Sequence, residues 1–247
     1  MKALIVANWK MHPATFKEAQ LLFSATKRVA VKASATIVVA PPNIYLRELA
    51  KSYRGPIAFA AQNAHSQKEG AYTGEISLTQ IKDAKATWII IGHAERRSAG
   101  ETDEQVHDKL VAALALGLKP VVCIGEAQRN AGGDYFDFVR NQLRIALKDL
   151  TPQALKKVVV AYEPVWAIGA PLPMSPHDMH EMAIFIRKTM VEMVGDAGHS
   201  VKIIYGGAID ETTAAPMLAQ GDVAGLLVGR ASTDARRFSA LIASLSA

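Results

Sequence analysis

The sequence predicts a single closed (β/α)8 barrel over residues 1–247, and three observations carry that prediction. A length of 247 residues suits one barrel domain. Eight short apolar runs, rich in valine and isoleucine, recur without polar alternation. Strands covered on both faces, as in a parallel sheet, read this way. Helical patterns fill the intervals between them, which is the βα repeat of a barrel.

In chain order, the strand-like runs are Leu4–Ala7, Thr36–Ala40, Ile57–Ala61, Trp88–Ile91, Pro120–Ile124, Val158–Tyr162, Val201–Tyr205 and Val223–Val228. Thr15 and Glu18 form a capping-box pair that predicts a helix over Phe16–Ala30. Thr102 and Gln105 repeat the device before Val106–Leu116, and Gly117 ends that helix. Asp134–Leu147 and His177–Val194 place apolar residues three and four apart, with Pro176 suited to the first turn of the second. A doubly wound open sheet is the alternative architecture. It usually carries a glycine-rich turn after its first strand, whereas Asn8-Trp9-Lys10-Met11 follows here. No composition break marks a linker.

Composition removes several function classes. Half of the residues are hydrophobic, enough apolar surface to offset ordering entropy. A chain of this size buries about three quarters of its unfolded surface without covalent staples. The single Cys123 excludes an internal disulfide and a multi-cysteine zinc site. A net charge of +5 favours small anions. Its basic clusters (Arg96-Arg97, Lys156-Lys157, Arg236-Arg237) are short and lack the interleaved aromatics of a nucleic-acid platform. No apolar run approaches the ~20 residues of a membrane span. The apolar start Ala3–Ala7 is too short for a secretory signal. A cytoplasmic protein is the expectation.

Active sites of such barrels gather at the carboxyl ends of strands. The polar residues there are Asn8 and Lys10 after the first, Gln62 and Asn63 after the third, and His93 and Glu95 after the fourth. Glu126 follows the fifth, Glu163 the sixth, Gly206-Gly207 the seventh and Gly229-Arg230 the eighth. Glycines let backbone N–H groups approach an anion closely. A carboxylate base, an imidazole, a cation and two such turns predict proton transfer on a small phosphorylated substrate.

At these residues the chain resembles the triosephosphate isomerase family, along its whole length. The motifs are Ala7-Asn8-Trp9-Lys10-Met11, Ala61-Gln62-Asn63, Gly70–Ser77, Ile91–Arg97, Cys123-Ile124-Gly125-Glu126, Ala161–Gly169 and Tyr205-Gly206-Gly207. The resemblance implies Glu163 as the base, His93 as the neutral imidazole that polarises the carbonyl, and Lys10 as the cation on phosphate and enediolate. It makes Asn8 a neighbouring donor and Glu95 the partner of Lys10. It implies that Gly169, Ala208, Gly229 and Arg230 surround the phosphate. Pro164-Val165-Trp166 would be a lid hinge, with Ile168 and Leu227 as an apolar clamp on the base and Tyr205 as a latch. It also implies a homodimer in which the Gly70–Ser77 loop, with Thr73 near its tip, braces Asn8 and Lys10 of the partner. No metal or organic cofactor is implied. Glu126 is given a structural role.

The chain departs from that pattern at four places. The lid tip reads Ala170-Pro171-Leu172-Pro173, and prolines stiffen it. Ala94 and Ala208 each replace a serine. Arg230 replaces a glycine. If that position needs a positive φ, the change costs on the order of 1–2 kcal/mol. Its guanidinium would instead reach the phosphate and offset the lost serine hydroxyl. These departures leave three rival readings: the same chemistry on a tetrulose phosphate, a Schiff-base reaction at Lys10, and a non-catalytic phosphate-binding barrel. Considered alone, Glu163 reads as a solvated strand-end carboxylate, Lys10 as a surface lysine and His93 as a structural histidine. Cys123 reads as a small buried hydrophobe. His177 and His180 read as a solvated first turn rather than metal ligands.

Overall fold

The computed structural model describes residues 2–130, 132–167 and 173–245. Its eight strands close on themselves in the order β1-β2-β3-β4-β5-β6-β7-β8. They are Leu4–Asn8 (β1), Thr36–Ala40 (β2), Ala58–Ala61 (β3), Trp88–Ile91 (β4), Lys119–Ile124 (β5), Val159–Tyr162 (β6), Lys202–Tyr205 (β7) and Gly225–Val228 (β8). All neighbours pair in parallel. Closure is made by β1 against β8, with Leu4 opposite Gly225 and Ala7 opposite Val228. That approach is tight: a Cβ at Gly225 would sit 2.0 Å from the Leu4 carbonyl oxygen. The open-sheet alternative is therefore set aside, and the expected barrel is observed.

The helices are Phe16–Ala30 (α1), Asn43–Ala50 (α2), Leu78–Asp83 (α3), Ala94–Ser98 (α4), Asp103–Ala115 (α5), Asp134–Ala146 (α6), Pro152–Leu155 (α7), Pro176–Val194 (α8), Ala214–Gln220 (α9) and Ala235–Ser244 (α10). The two capping boxes read from sequence are formed. Thr15 Oγ1 accepts from the Glu18 N–H while Glu18 Oε2 accepts from the Thr15 N–H. Thr102 and Gln105 bond in the same reciprocal way. A third box, Ser77 with Gln80, starts α3. Helices α4 and α7 span less than two turns, too short to show a 3.6-residue period.

Both faces of each strand are apolar because each faces a different core. Leu4, Val6, Val38, Ile90, Val121, Val159 and Ile204 point into the barrel. Ile5, Ala7, Ile37, Ile89, Val122, Val160 and Ile203 pack outward against the helices. Among the described residues no helix is long and apolar enough to cross a membrane, and no group of three or more His, Cys, Asp or Glu side chains is placed to hold a metal ion. Cys123 is fully buried inside the barrel, as its sequence context suggested. His177 is exposed and lies 3.5 Å from Glu181.

Candidate active site

At the carboxyl end of the barrel, β1 delivers Asn8 and then Lys10. Lys10 is a non-glycine residue at φ +53°, a conformation that costs roughly 1–2 kcal/mol. The surrounding bonds hold it there. Its backbone N–H donates to Asn8 Oδ1 at 3.1 Å, and its carbonyl accepts from Gln62 Nε2 at 2.8 Å. Gln62 also donates to the Ala40 carbonyl, so β1, β2 and β3 together fix the turn. The strained backbone aims the ammonium at Glu95, with Nζ 2.6 Å from Oε1. Burial raises the Glu95 pKa, but the hydrogen bond and charge of Lys10, with a smaller contribution from His93, outweigh it. The carboxyl is held below its ordinary value.

His93 caps α4. Its Nδ1 accepts from the Glu95 N–H at 3.2 Å. A nitrogen that accepts carries no proton, so that bond assigns the proton to Nε2. Nε2 lies 3.2 Å from Glu163 Oε1. The preceding glycine, Gly92, has φ +72°. A Cβ there would come within 2.9 Å of Val106 and 3.1 Å of Arg97. Arg97 secures this turn by donating to the carbonyls of Gly92 and Cys123 and by pairing with Asp103.

Glu163, at the end of β6, is buried to 2% exposure. Its Oε2 accepts from the Ala94 N–H at 2.9 Å. The serine hydroxyl that Ala94 lacks is thus not the only donor this position can offer; the backbone supplies one. Two backbone bonds, Glu163 N–H to Ile124 and Val165 N–H to Glu126, set the strand end. Gly206 leaves room beside the carboxylate: a Cβ there would meet Glu163 Cγ at 2.8 Å.

Asn8, Lys10, His93, Glu163, Ala208, Leu227, Gly229 and Arg230 line one pocket of about 360 Å³. Eight of the thirteen residues singled out from sequence therefore meet there, and Glu95 joins them through Lys10. Ile168 and Gly169 lie outside the described residues, as does the lid tip 170–172. Pro173 is described and lines the pocket. Thr73 stands apart, in a second groove with His65, Arg96 and Lys109. Tyr205 is fully buried beneath Gly207, where a Cβ would fall 2.2 Å from its hydroxyl oxygen. Burial pushes that hydroxyl up to about 12, with the Met174 backbone pulling slightly the other way. It is therefore a protonated donor across neutral pH. Among the described residues it has no well-formed hydrogen bond.

The conditional strain at Arg230 does not arise. Arg230 is absent from the residues with positive φ and instead opens the 3₁₀ turn Arg230–Thr233. Ser232 Oγ donates to the Gly229 carbonyl at 2.7 Å and to the Asn8 carbonyl at 3.3 Å, joining β8 to β1 under the pocket.

The structural role expected of Glu126 is visible in its contacts, although the sequence named none of its partners. Glu126, 1% exposed, accepts from Trp166 Nε1 (2.9 Å), the Tyr162 hydroxyl (2.8 Å) and Arg129 Nε (2.8 Å). The Arg129 guanidinium also lies over the rings of Tyr135 and Trp166. Glu126 is polar at a strand end, like Glu163, and only its neighbours distinguish the two. Pocket residues Asp210, Thr213 and Arg237 were missed by sequence reasoning, because they come from the loop before α9 and the first turn of α10 rather than from strand ends.

A buried carboxylate touching an imidazole, beside an ammonium and two glycine turns at the mouth of a (β/α)8 barrel, defines an enzyme class: a proton-transfer catalyst for small anionic substrates. Comparison with known proteins narrows the class. The family model described as triosephosphate isomerase matches residues 3–245. The chain is 42% identical over 246 residues to the triosephosphate isomerase of Caldanaerobacter subterraneus subsp. tengcongensis, covering 98% of both chains. It is 40% identical over 245 residues to that of Moorella thermoacetica, again over 98% of both. It is 35% identical over 245 residues to that of Aquifex aeolicus, over 98% of this chain and 99% of the relative. The chain belongs to the triosephosphate isomerase family.

Proposed function

We propose that this protein interconverts dihydroxyacetone phosphate and D-glyceraldehyde 3-phosphate, a step of glycolysis and gluconeogenesis. The observation that carries the reading is the contact between Glu163 and the proton-bearing nitrogen of His93, at the mouth of the pocket that also holds Lys10. In the forward direction Glu163 removes a proton from the carbon beside the carbonyl, and the electron pair moves to the carbonyl oxygen. His93 Nε2–H and the Lys10 ammonium stabilise the charge that develops there. The hydroxyl proton of the first carbon passes to the former carbonyl oxygen by way of His93 Nε2, a new carbonyl forms at the first carbon, and Glu163 returns its proton to the former carbonyl carbon. Glu163 Oε2 accepts from the Ala94 N–H, and Oε1 lies 3.2 Å from His93 Nε2. Taking the substrate's proton requires one of these oxygens to leave its contact.

The test is turnover in deuterated water with triose and tetrulose phosphates side by side. Deuterium should enter the carbon beside the carbonyl, with kcat/KM for the triose ahead by at least tenfold. Preference for the tetrulose phosphate would reassign the substrate. A borohydride-trapped adduct at Lys10 would replace the mechanism with Schiff-base chemistry. Ligand-induced thermal stabilisation without turnover would leave only a binding barrel.

The phosphate contacts supply a separate prediction. Ala208 lines the anion end of the pocket without a hydroxyl. Restoring one by Ala208→Ser adds a single hydrogen bond to an anion. KM should fall about three- to tenfold at nearly constant kcat, read from initial rates and from competitive inhibition by inorganic phosphate. An unchanged KM would place the phosphate away from residue 208.

A homodimer belongs to the same proposal. Met11, next to Lys10, is 90% exposed, Ile44 is 79% exposed, and Tyr72 in the 70–77 loop also projects outward. Large exposed apolar side chains of this kind mark protein–protein surfaces. We assign them to a partner whose 70–77 loop, with Thr73, supports Asn8 and Lys10. Sedimentation velocity should give a two-chain species whose dilution-driven dissociation costs activity. A fully active monomer would contradict it. A cytoplasmic location completes the reading.

A further inference from the structure

We propose that the anion end of the pocket is a double site. The inner subsite is the glycine-turn cradle of the reading above, on which this inference rests. The outer one is a two-arginine rim, Arg230 and Arg237, that takes the second anionic group of a small bis-anionic ligand such as inorganic diphosphate or an organic bisphosphate. Such a ligand would bind in competition with the substrate and inhibit the enzyme.

The pocket is lined by three cations, Lys10, Arg230 and Arg237. Lys10 is paired with Glu95 at 2.6 Å. Arg237 sits on the first turn of α10, with its backbone N–H bonded to Asp234 Oδ1 at 3.0 Å and its Nε 3.4 Å from Glu211 Oε2. The contact with Glu211 orients its guanidinium on the pocket wall. A single Nε contact leaves the terminal N–H groups of the planar fork available for a phosphate oxygen. Arg230, on the adjacent 3₁₀ turn, is exposed, and its side chain has no carboxylate partner among the described residues.

One further acid is near. Asp210 lines the pocket, and its Oδ1 accepts from the N–H and hydroxyl groups of both Thr212 and Thr213. Those bonds keep its carboxylate ionised and hold it in the turn that starts α9. Among the described residues it forms no ion pair with either arginine, and Arg237 pairs with Glu211 alone. The Arg230 guanidinium and the terminal N–H groups of Arg237 are therefore left to an anion. A phosphate seated on the glycine turns leaves these donors unused, and a second anionic group joined to it would engage them at little additional entropic cost.

Calorimetric titration at fixed ionic strength tests this without turnover, so its outcome is independent of the isomerase assay. Inorganic diphosphate should bind the wild-type protein about tenfold more tightly than inorganic phosphate. Arg237→Gln should erase most of that difference and leave phosphate affinity within about twofold. Glu211→Gln, which frees Arg237 from its partner, should strengthen diphosphate binding about threefold. Equal affinities for the two anions in the wild type would overturn the proposal. So would an Arg237→Gln protein that keeps the diphosphate advantage or loses both ligands alike.

Discussion

Replacing Glu163 by glutamine is expected to lower kcat by about three orders of magnitude, within the range for removing a positioned general base. An amide has no basic oxygen to take a carbon-bound proton. Binding should change little. The glutamine carbonyl can still accept from the Ala94 N–H, as Glu163 Oε2 does at 2.9 Å. The amide nitrogen would then face His93 Nε2–H, donor against donor, where the carboxylate now sits 3.2 Å away. KM should accordingly stay within a few-fold, while deuterium entry at the substrate carbon falls with kcat. Glu163→Asp keeps the charge but withdraws the carboxylate by one methylene. A displacement of that size should cost about a hundredfold. Retention of even a tenth of wild-type exchange by the glutamine variant would remove Glu163 from the mechanism.

The second large effect needs no change to a reacting group. Gly125→Ala should reduce both stability and turnover, because a Cβ at 125 would stand 1.8 Å from the Glu163 carbonyl oxygen and 2.6 Å from its carbonyl carbon. No rotamer relieves a clash with backbone. The ends of β5 and β6 have to separate, which weakens the Glu163 N–H to Ile124 and Val165 N–H to Glu126 bonds. The loss should be about 1–3 kcal/mol or somewhat more, read as a shifted denaturant midpoint. kcat should fall about a hundredfold as Glu163 moves. Gly206→Ala is the informative contrast. There the clash is with the Glu163 side chain at Cγ, 2.8 Å away, so activity should drop while the midpoint moves little. Equal stability losses in the two variants would show that the strand-end geometry is not what positions the base.

Much of this is legible in the sequence. The non-alternating apolar runs announced strands buried on two faces, and the barrel supplies the two faces in the interior set of Leu4 and Val6 and the outward set of Ile5 and Ala7. Thr15 with Glu18 and Thr102 with Gln105 marked their helix starts because capping is a local bond across three residues. The candidate site was legible where its residues follow strands, since every strand of such a barrel ends at the same mouth. Arg237 and Asp210 escaped that rule because they sit at the starts of helices α10 and α9. Tyr205 is at a strand end yet is covered by Gly207, which no spacing in the chain reveals.

The chain itself determined the order of elements, the caps and the kinds of chemical groups available, because those depend on neighbours a few positions apart. Tertiary structure decided the surroundings of the two candidate carboxylates. Glu126 and Glu163 are both buried strand-end glutamates, but one is surrounded by Trp166, Tyr162 and Arg129 and the other by His93 and the Ala94 N–H. Tertiary structure also put Lys10 at φ +53° with its ammonium on Glu95, 85 positions away. Chemical role follows from the charges and donors within a few ångströms, and closure of the barrel brings those together from parts of the chain that carry no local trace of one another.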